Sequence, residues 1–320
     1  MHNYIHHDQE FKELISIVAD KLKIDPYLVE KDYWIMHTLY GLNVQGIEFE
    51  LKGGTSLSKG YGIIDRFSED IDIHIKTNFG LQIEGNEDND KVRSNRKAFY
   101  DKLKETISID GIVDVIRDEN FDDTKYRSGG IRLQYKSFTT SIEGVKEGIL
   151  LEAGFDQVAP NKPVTISSWV LDHVKSLEGE FNYIDNTATG VLCYLPEYTF
   201  VEKIQTIISK HRKEVKNIES GNTNEQVNFM RQYYDVHCLL KCESVIQFIG
   251  TAQYKEHKNK RIKGADAVID LAKHPALRLD DQTIYNTYKE RYQRSSNLYY
   301  KGQPDFDKII ESLREHMYKL

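Results

Sequence analysis

The chain has 320 residues, an apolar fraction of 39% and a net charge of -7, which suits a soluble protein long enough for two domains and a sizeable core. No apolar run reaches the roughly eighteen residues of a membrane span, and the start "MHNYIHHDQE" lacks the charged-then-apolar plan of a signal peptide, so a cytoplasmic protein with no membrane association is expected. Cys193, Cys238 and Cys242 have neither CxxC nor zinc-finger spacing and read as reduced thiols without a structural metal.

In chain order, Asp25-Pro26 reads as an N-cap followed by proline at the first helical position. The segment "YLVEKDYWIMHTLYGL" then runs apolar on most faces to Gly41, which predicts a buried helix. Lys31 and Asp32 on that helix call for a buried salt bridge. Strands are expected over 47–52, 70–75, 111–116, 130–135, 148–155 and 190–195, with a charged helix over 90–107 between them. After Pro196 the segments 197–214, 224–242, 265–274, 281–296 and 305–319 carry helical period, and 217–226 reads as a polar loop. The expectation is an α+β core with a mixed sheet over residues 1–215 and a helical carboxy-terminal domain over 216–320. Residues 1–200 balance at -12 and residues 201–320 at +5. The second stretch is therefore the better candidate for meeting a polyanion, through Lys210, Arg212, Lys213, Lys216 and the run "KEHKNKRIK" at 255–263.

The chemistry concentrates in "LKGGTSLSKGYGIIDRFSEDIDIHI", Leu51 to Ile75. Side chains alternate along a strand, so Ile71, Ile73 and Ile75 share one face while Asp70, Asp72 and His74 share the other. Two carboxylates held that close repel unless a cation lies between them, and hard oxygen donors select Mg²⁺ or Mn²⁺. His74 reads as a surface histidine. Upstream, Gly53 and Gly54 permit a tight turn, and a helix start beside the Thr55 and Ser56 hydroxyls is suited to phosphate. Arg66 and Ser68, just before the aspartates, either meet a phosphate or hold the loop. The string is not a Walker A loop, because Ser58 stands where the second glycine should precede Lys59. A phosphate cradle joined to a metal pair is the arrangement expected for nucleotidyl transfer.

This string resembles the signature of the AbiEii/AbiGii toxin family, minimal nucleotidyltransferases of the DNA polymerase β superfamily. "VEKDYW" at 29–34 resembles the family's amino-terminal helix, and "GILLEAGF" the strand that supplies a third acidic residue, here Glu152. "YLPEYTFVEKIQTI" resembles the segment holding the active-site lysine, Lys203. "RQYYDVHCLL" resembles the motif with an essential aspartate, Asp235, and departs from many members at Gln232, where they carry histidine.

The residues carry readings of their own. An unpaired charge at Glu152, after three apolar residues, is expensive to bury and needs an ion pair or a metal. Lys203 flanks the stripe of Phe200, Ile204 and Ile207, from where it can snorkel or lean against a triphosphate. Asp235 follows Arg231 by four residues, so an internal ion pair competes with an active-site position that orients Lys203 or completes the acidic cluster.

The resemblance implies attack of an RNA hydroxyl, the tRNA 3′ end being the family's acceptor, on the α-phosphate of an NTP. Asp70, Asp72 and Glu152 would hold Mg²⁺, Gly53, Gly54, Thr55 and Ser56 would cradle phosphate, and Lys203 would neutralise charge. It also implies a type IV toxin whose antitoxin is encoded nearby and forms no stable complex with it. A protein hydroxyl as acceptor, and a binding protein without turnover, are the alternatives.

Overall fold

A computed structural model of the chain describes residues 3–85, 89–142, 144–155, 159–177, 179, 182–220 and 227–320. They form two compact units, residues 1–60 with 67–194, and residues 61–66 with 195–320. The division at 194/195 lies at the start of the helix that carries Lys203, against the boundary at 215 expected from sequence.

The first unit holds a seven-stranded mixed sheet in the order β3-β4-β5-β2-β1-β7-β6, which bears out the expected α+β class. The strands are β1 (Phe49–Lys52), β2 (Asp70–Ile75), β3 (Ile112–Asp118), β4 (Ser128–Tyr135), β5 (Ile149–Gly154), β6 (Asn161–Ile166) and β7 (Ala188–Tyr194). The central strand β2 runs antiparallel to β1 and parallel to β5. Ile71 and Ile73 are fully buried on one face and Ile75 nearly so, each side chain contributing about 1.5–3 kcal/mol of apolar burial. The opposite face carries Asp70, Asp72 and His74 at intermediate burial, as alternation requires.

Helix α1 (Phe11–Leu22) precedes α2 (Pro26–Val44). The Asp25 side chain caps α2 by accepting the Tyr27 N–H at 2.8 Å. As expected, α2 is buried on nearly every side, so its charged residues need partners. Glu30 accepts from Ser137 Oγ at 2.7 Å and from the Phe138 N–H at 2.9 Å. Asp32 pairs with Lys59 at 2.6 Å, and Lys31 lies 4.0 Å from Glu69. Each of these ties α2 to a segment distant in sequence.

A turn, α3 (Gly53–Thr55), continues as a π-helical turn over Ser56–Gly60. Helix α4 (Asp90–Thr106) matches the charged stretch, with Asn89 as its N-cap. Among the elements with no expectation from sequence are α1, β6 and α5 (Trp169–Ser176). β6 contains Pro163, which argues against a central strand, and it lies at the sheet edge, where a missing N–H is tolerated. α5 has only eight residues and is capped by Ser168.

The second unit is helical: α6 (Pro196–Glu219), α7 (Arg231–Leu239), α8 (Glu243–Phe248), α9 (Ala252–Arg261), α10 (Pro275–Arg278), α11 (Gln282–Gln293) and α12 (Phe306–His316). Its core is aromatic, with Tyr233, Tyr288, Tyr292 and Phe306 buried and in ring contact. The periodic stretch 265–274 forms two 3-10 turns, Gly264–Val268 and Leu271–Lys273, rather than an α-helix. Asp270 caps the second turn, and Val268 is 87% exposed, so the apolar residues there share no buried face. Asn217–Glu219, expected in a loop, finish α6, while 221–226 lie outside the described residues.

Candidate active site

The site in the first unit is assembled where β1 ends. Gly53 has φ +73°, and a Cβ there would lie 2.2 Å from Asp72 Oδ2, so only a bare backbone can turn directly over this carboxylate. Gly54 is buried behind it. Thr55 Oγ1 donates to the Asp70 carbonyl at 2.5 Å, and Ser56 Oγ to the Gly53 carbonyl at 2.9 Å. Both residues are fully buried; Thr55 braces the turn against β2 and Ser56 closes the turn on itself. Ser68 is half-buried.

Asp72 and Glu152 are register partners on β2 and β5, and Lys52 pairs with Asp72 from β1. Glu152 is pushed up to about 8, first by burial and then by the charges of Asp72 and Asp70, against the opposing pull of Lys146 and Lys52. A carboxyl raised by burial and by like-charged neighbours is in a setting that a divalent cation relieves. With its all-oxygen donors, the set Asp70, Asp72 and Glu152 fits a hard cation. Among the described residues, only His6, His7 and Asp110 bring ligating atoms all within 4.8 Å of one another.

Sequence reasoning missed Lys146. Its Nζ lies 3.2 and 3.3 Å from the Asp70 carboxylate oxygens and over the Phe121 ring at 4.7 Å. Its backbone is clamped as well: the N–H donates to Glu69 Oε2 at 2.8 Å, and the carbonyl accepts from Tyr27 OH at 3.1 Å and from Lys31 Nζ. Glu69, beside Asp70 in the motif, is buried and fixes this loop next to the carboxylates. No periodicity marks a lysine in a loop 76 residues from its partner. His74 lies 3.5 Å from Glu50 Oε2. Lys59, also missed, is anchored on Asp32 and over the Trp169 ring at 5.3 Å.

The second unit holds the other predicted residues as a buried ionic cluster. Arg66 forks onto Asp235, with Nε to Oδ1 and Nη2 to Oδ2 both at 2.6 Å, and Lys203 Nζ lies 2.8 Å from Oδ2. Arg66 is 2% exposed and Asp235 is fully buried. Burial works against the charge on Asp235, but Arg66 and Lys203 together hold its carboxyl below the usual range. Asp235 thus pairs with Arg66 and Lys203 rather than with Arg231 one turn earlier. Arg66 commits its fork to Asp235, the loop-holding arrangement, while Asp235 fixes the position of Lys203.

On the candidate polyanion surface, Arg212 pairs with Asp266, Arg261 with Glu202 at 2.6 Å and Lys260 with Glu256 at 2.6 Å. Lys213, Lys216, Lys255 and Lys263 are exposed.

In structure, the chain is similar to MenT4, a nucleotidyltransferase toxin from Mycobacterium tuberculosis, with a TM-score of 0.58 over 96% of this chain and 90% of that one, at 12% identity. No curated protein sequence matches it. The family model for the nucleotidyl transferase AbiEii toxin of type IV toxin–antitoxin systems matches residues 37–312, a span that contains every candidate residue of both clusters. The chain belongs to the AbiEii family of nucleotidyltransferase toxins.

Proposed function

We propose that the protein transfers the nucleoside monophosphate of an NTP to a hydroxyl of an RNA, with the tRNA 3′ end as acceptor, in a Mg²⁺-dependent reaction that constitutes its toxicity. The observation that carries this reading is that Asp72, on the same strand as Asp70 and under the Gly53 turn, pairs with Glu152 on the adjacent strand. Mg²⁺ or Mn²⁺ held by Asp70, Asp72 and Glu152 would draw negative charge off the α-phosphate.

The chain's own groups do the rest. The acceptor oxygen bonds to the α-phosphorus as the bond to the pyrophosphate oxygen breaks, and the hydroxyl proton needs a base. Glu152 either completes the coordination of the cation or, standing beside Asp72 on the neighbouring strand, takes this proton. The Gly53–Ser56 turn is held because both its hydroxyls are tied to backbone, and it passes over Asp72 too closely for any side chain at Gly53. Lys203, oriented by Asp235, neutralises charge that develops on the phosphates. The cognate antitoxin is the expected partner in the cell.

The test is to incubate purified protein with each NTP labelled at the α-phosphate, Mg²⁺ and total bacterial RNA, alongside Asp70→Ala and Lys203→Ala. Label on tRNA-sized RNA with wild type alone is expected. Label on protein instead would overturn the RNA acceptor, and no transfer with any NTP would favour a binding role.

A further inference from the structure

We propose that His6, His7 and Asp110 form a second metal site, separate from the sheet carboxylates, that takes Zn²⁺ with an open fourth position. His6 Nε2 and His7 Nε2 both converge on Asp110 Oδ1, at 2.7 and 2.5 Å, and among the described residues this is the one group of ligand type so closely gathered. Two imidazole nitrogens and one carboxylate are the donor types of an open zinc site, and they disfavour Mg²⁺, which prefers oxygen.

The support around the ligands is that of a held site. His6 is buried, with its Nδ1 2.8 Å from Tyr33 OH. A hydroxyl can accept as well as donate, so Tyr33 can take an Nδ1–H and leave the Nε2 lone pair turned toward Asp110. Asn186 Nδ2 in turn donates to Tyr33 OH at 3.1 Å. On the other side, His37 Nε2 lies 2.9 Å from the Asp110 carbonyl oxygen and fixes that turn.

His7 and Asp110 are about half exposed, at 46% and 48% of their side chains, so the cluster opens to solvent where a water would complete a tetrahedron. The present separations are hydrogen-bond lengths. Zinc with bonds of about 2.0–2.2 Å needs ligand atoms roughly 3.3 Å apart. His7, at the end of the short Ile5–His7 turn, and the half-exposed Asp110 carboxylate would both move to supply the difference.

The experiment is a Zn²⁺ titration of the chelator-stripped full chain against a chromophoric competitor, in excess Mg²⁺ to occupy the sheet carboxylates. Wild type and Asp72→Asn are expected to bind one zinc equally. His7→Ala and Asp110→Asn are expected to lose it while keeping the wild-type circular dichroism. Tyr33→Phe, which removes only the supporting hydroxyl, should weaken binding by about tenfold. Co²⁺ on wild type should give four-coordinate d–d bands without a thiolate charge-transfer band. Undiminished zinc affinity in both His7→Ala and Asp110→Asn, no binding by wild type, or a thiolate band would overturn the assignment.

Discussion

Glu152 shows most directly what burial beside like charges does to a sheet carboxylate. Its raised value means that between pH 4.5 and about 8 the unfolded chain gives up a proton that the folded chain keeps, so this residue's contribution to stability falls as pH rises through that window. Glu152→Gln removes the titration. In metal-free buffer its melting temperature should decline less over the same range, by about 2–4 °C for each kcal/mol relieved. Saturating Mg²⁺ should then raise the melting temperature of wild type more than that of Glu152→Gln. Scanning calorimetry at several pH values checks both. Lys203 and Asp235 touch each other yet should separate in their effects. Lys203→Met leaves the Arg66–Asp235 fork intact and should cost under about 1.5 kcal/mol of stability while abolishing transfer. Asp235→Ala removes the buried anion that Arg66 and Lys203 share and should cost about 3–5 kcal/mol, read from denaturant midpoints.

Among the elements, the Gly53 turn and β2 act as one device, since the turn passes over Asp72 and its hydroxyl is tied to the Asp70 carbonyl. Gly53→Ala meets both a left-handed backbone and a carboxylate oxygen in its path. Gly46, with φ +69° and nothing within 4 Å of a Cβ, meets only the first. Gly46→Ala should therefore cost about 1–2 kcal/mol with activity retained, whereas Gly53→Ala should cost more and lose transfer, as paired melting and activity assays would show. This device was legible in sequence because glycine spacing and strand alternation are local signals. The faces of β2 and the burial of α2 were read correctly for the same reason. β6 was not legible, because Pro163 marks an interior-strand misfit and nothing local says that the strand is at an edge. The pieces at 265–274 carry apolar residues at helical spacing, but Asp270 caps a new turn in their midst.

Across the whole molecule, what the sequence hid is long-range pairing. Arg66 and Asp235 are 169 residues apart, and Arg231 at i-4 was the locally visible partner for Asp235. Lys146 reaches Asp70 from a loop without pattern. Asp235 and Lys203 were singled out by family resemblance, and the fold then supplied their mutual contact. Among the described residues no helix is long and apolar enough to cross a membrane. Of the cations in residues 201–320, Arg212, Arg261 and Lys260 are paired with Asp266, Glu202 and Glu256, so these three are engaged within the protein. Lys213 and Lys216 remain exposed. If both meet phosphate, Lys213→Gln with Lys216→Gln should lower the slope of log affinity for single-stranded RNA against log salt by about 1.4, as measured by filter binding.

The central claim, nucleotidyl transfer at the sheet carboxylates, is tested most directly by parallel reactions with NTP labelled at the α- or the γ-phosphate, with and without Mg²⁺, for wild type and Asp72→Asn. The account predicts that α-label joins the acceptor, that γ-label leaves as pyrophosphate, and that removing Mg²⁺ or the Asp72 charge lowers the rate by at least about a thousandfold, or roughly 4 kcal/mol of barrier. Transfer of γ-label to the acceptor, or undiminished α-label transfer by Asp72→Asn, would contradict it.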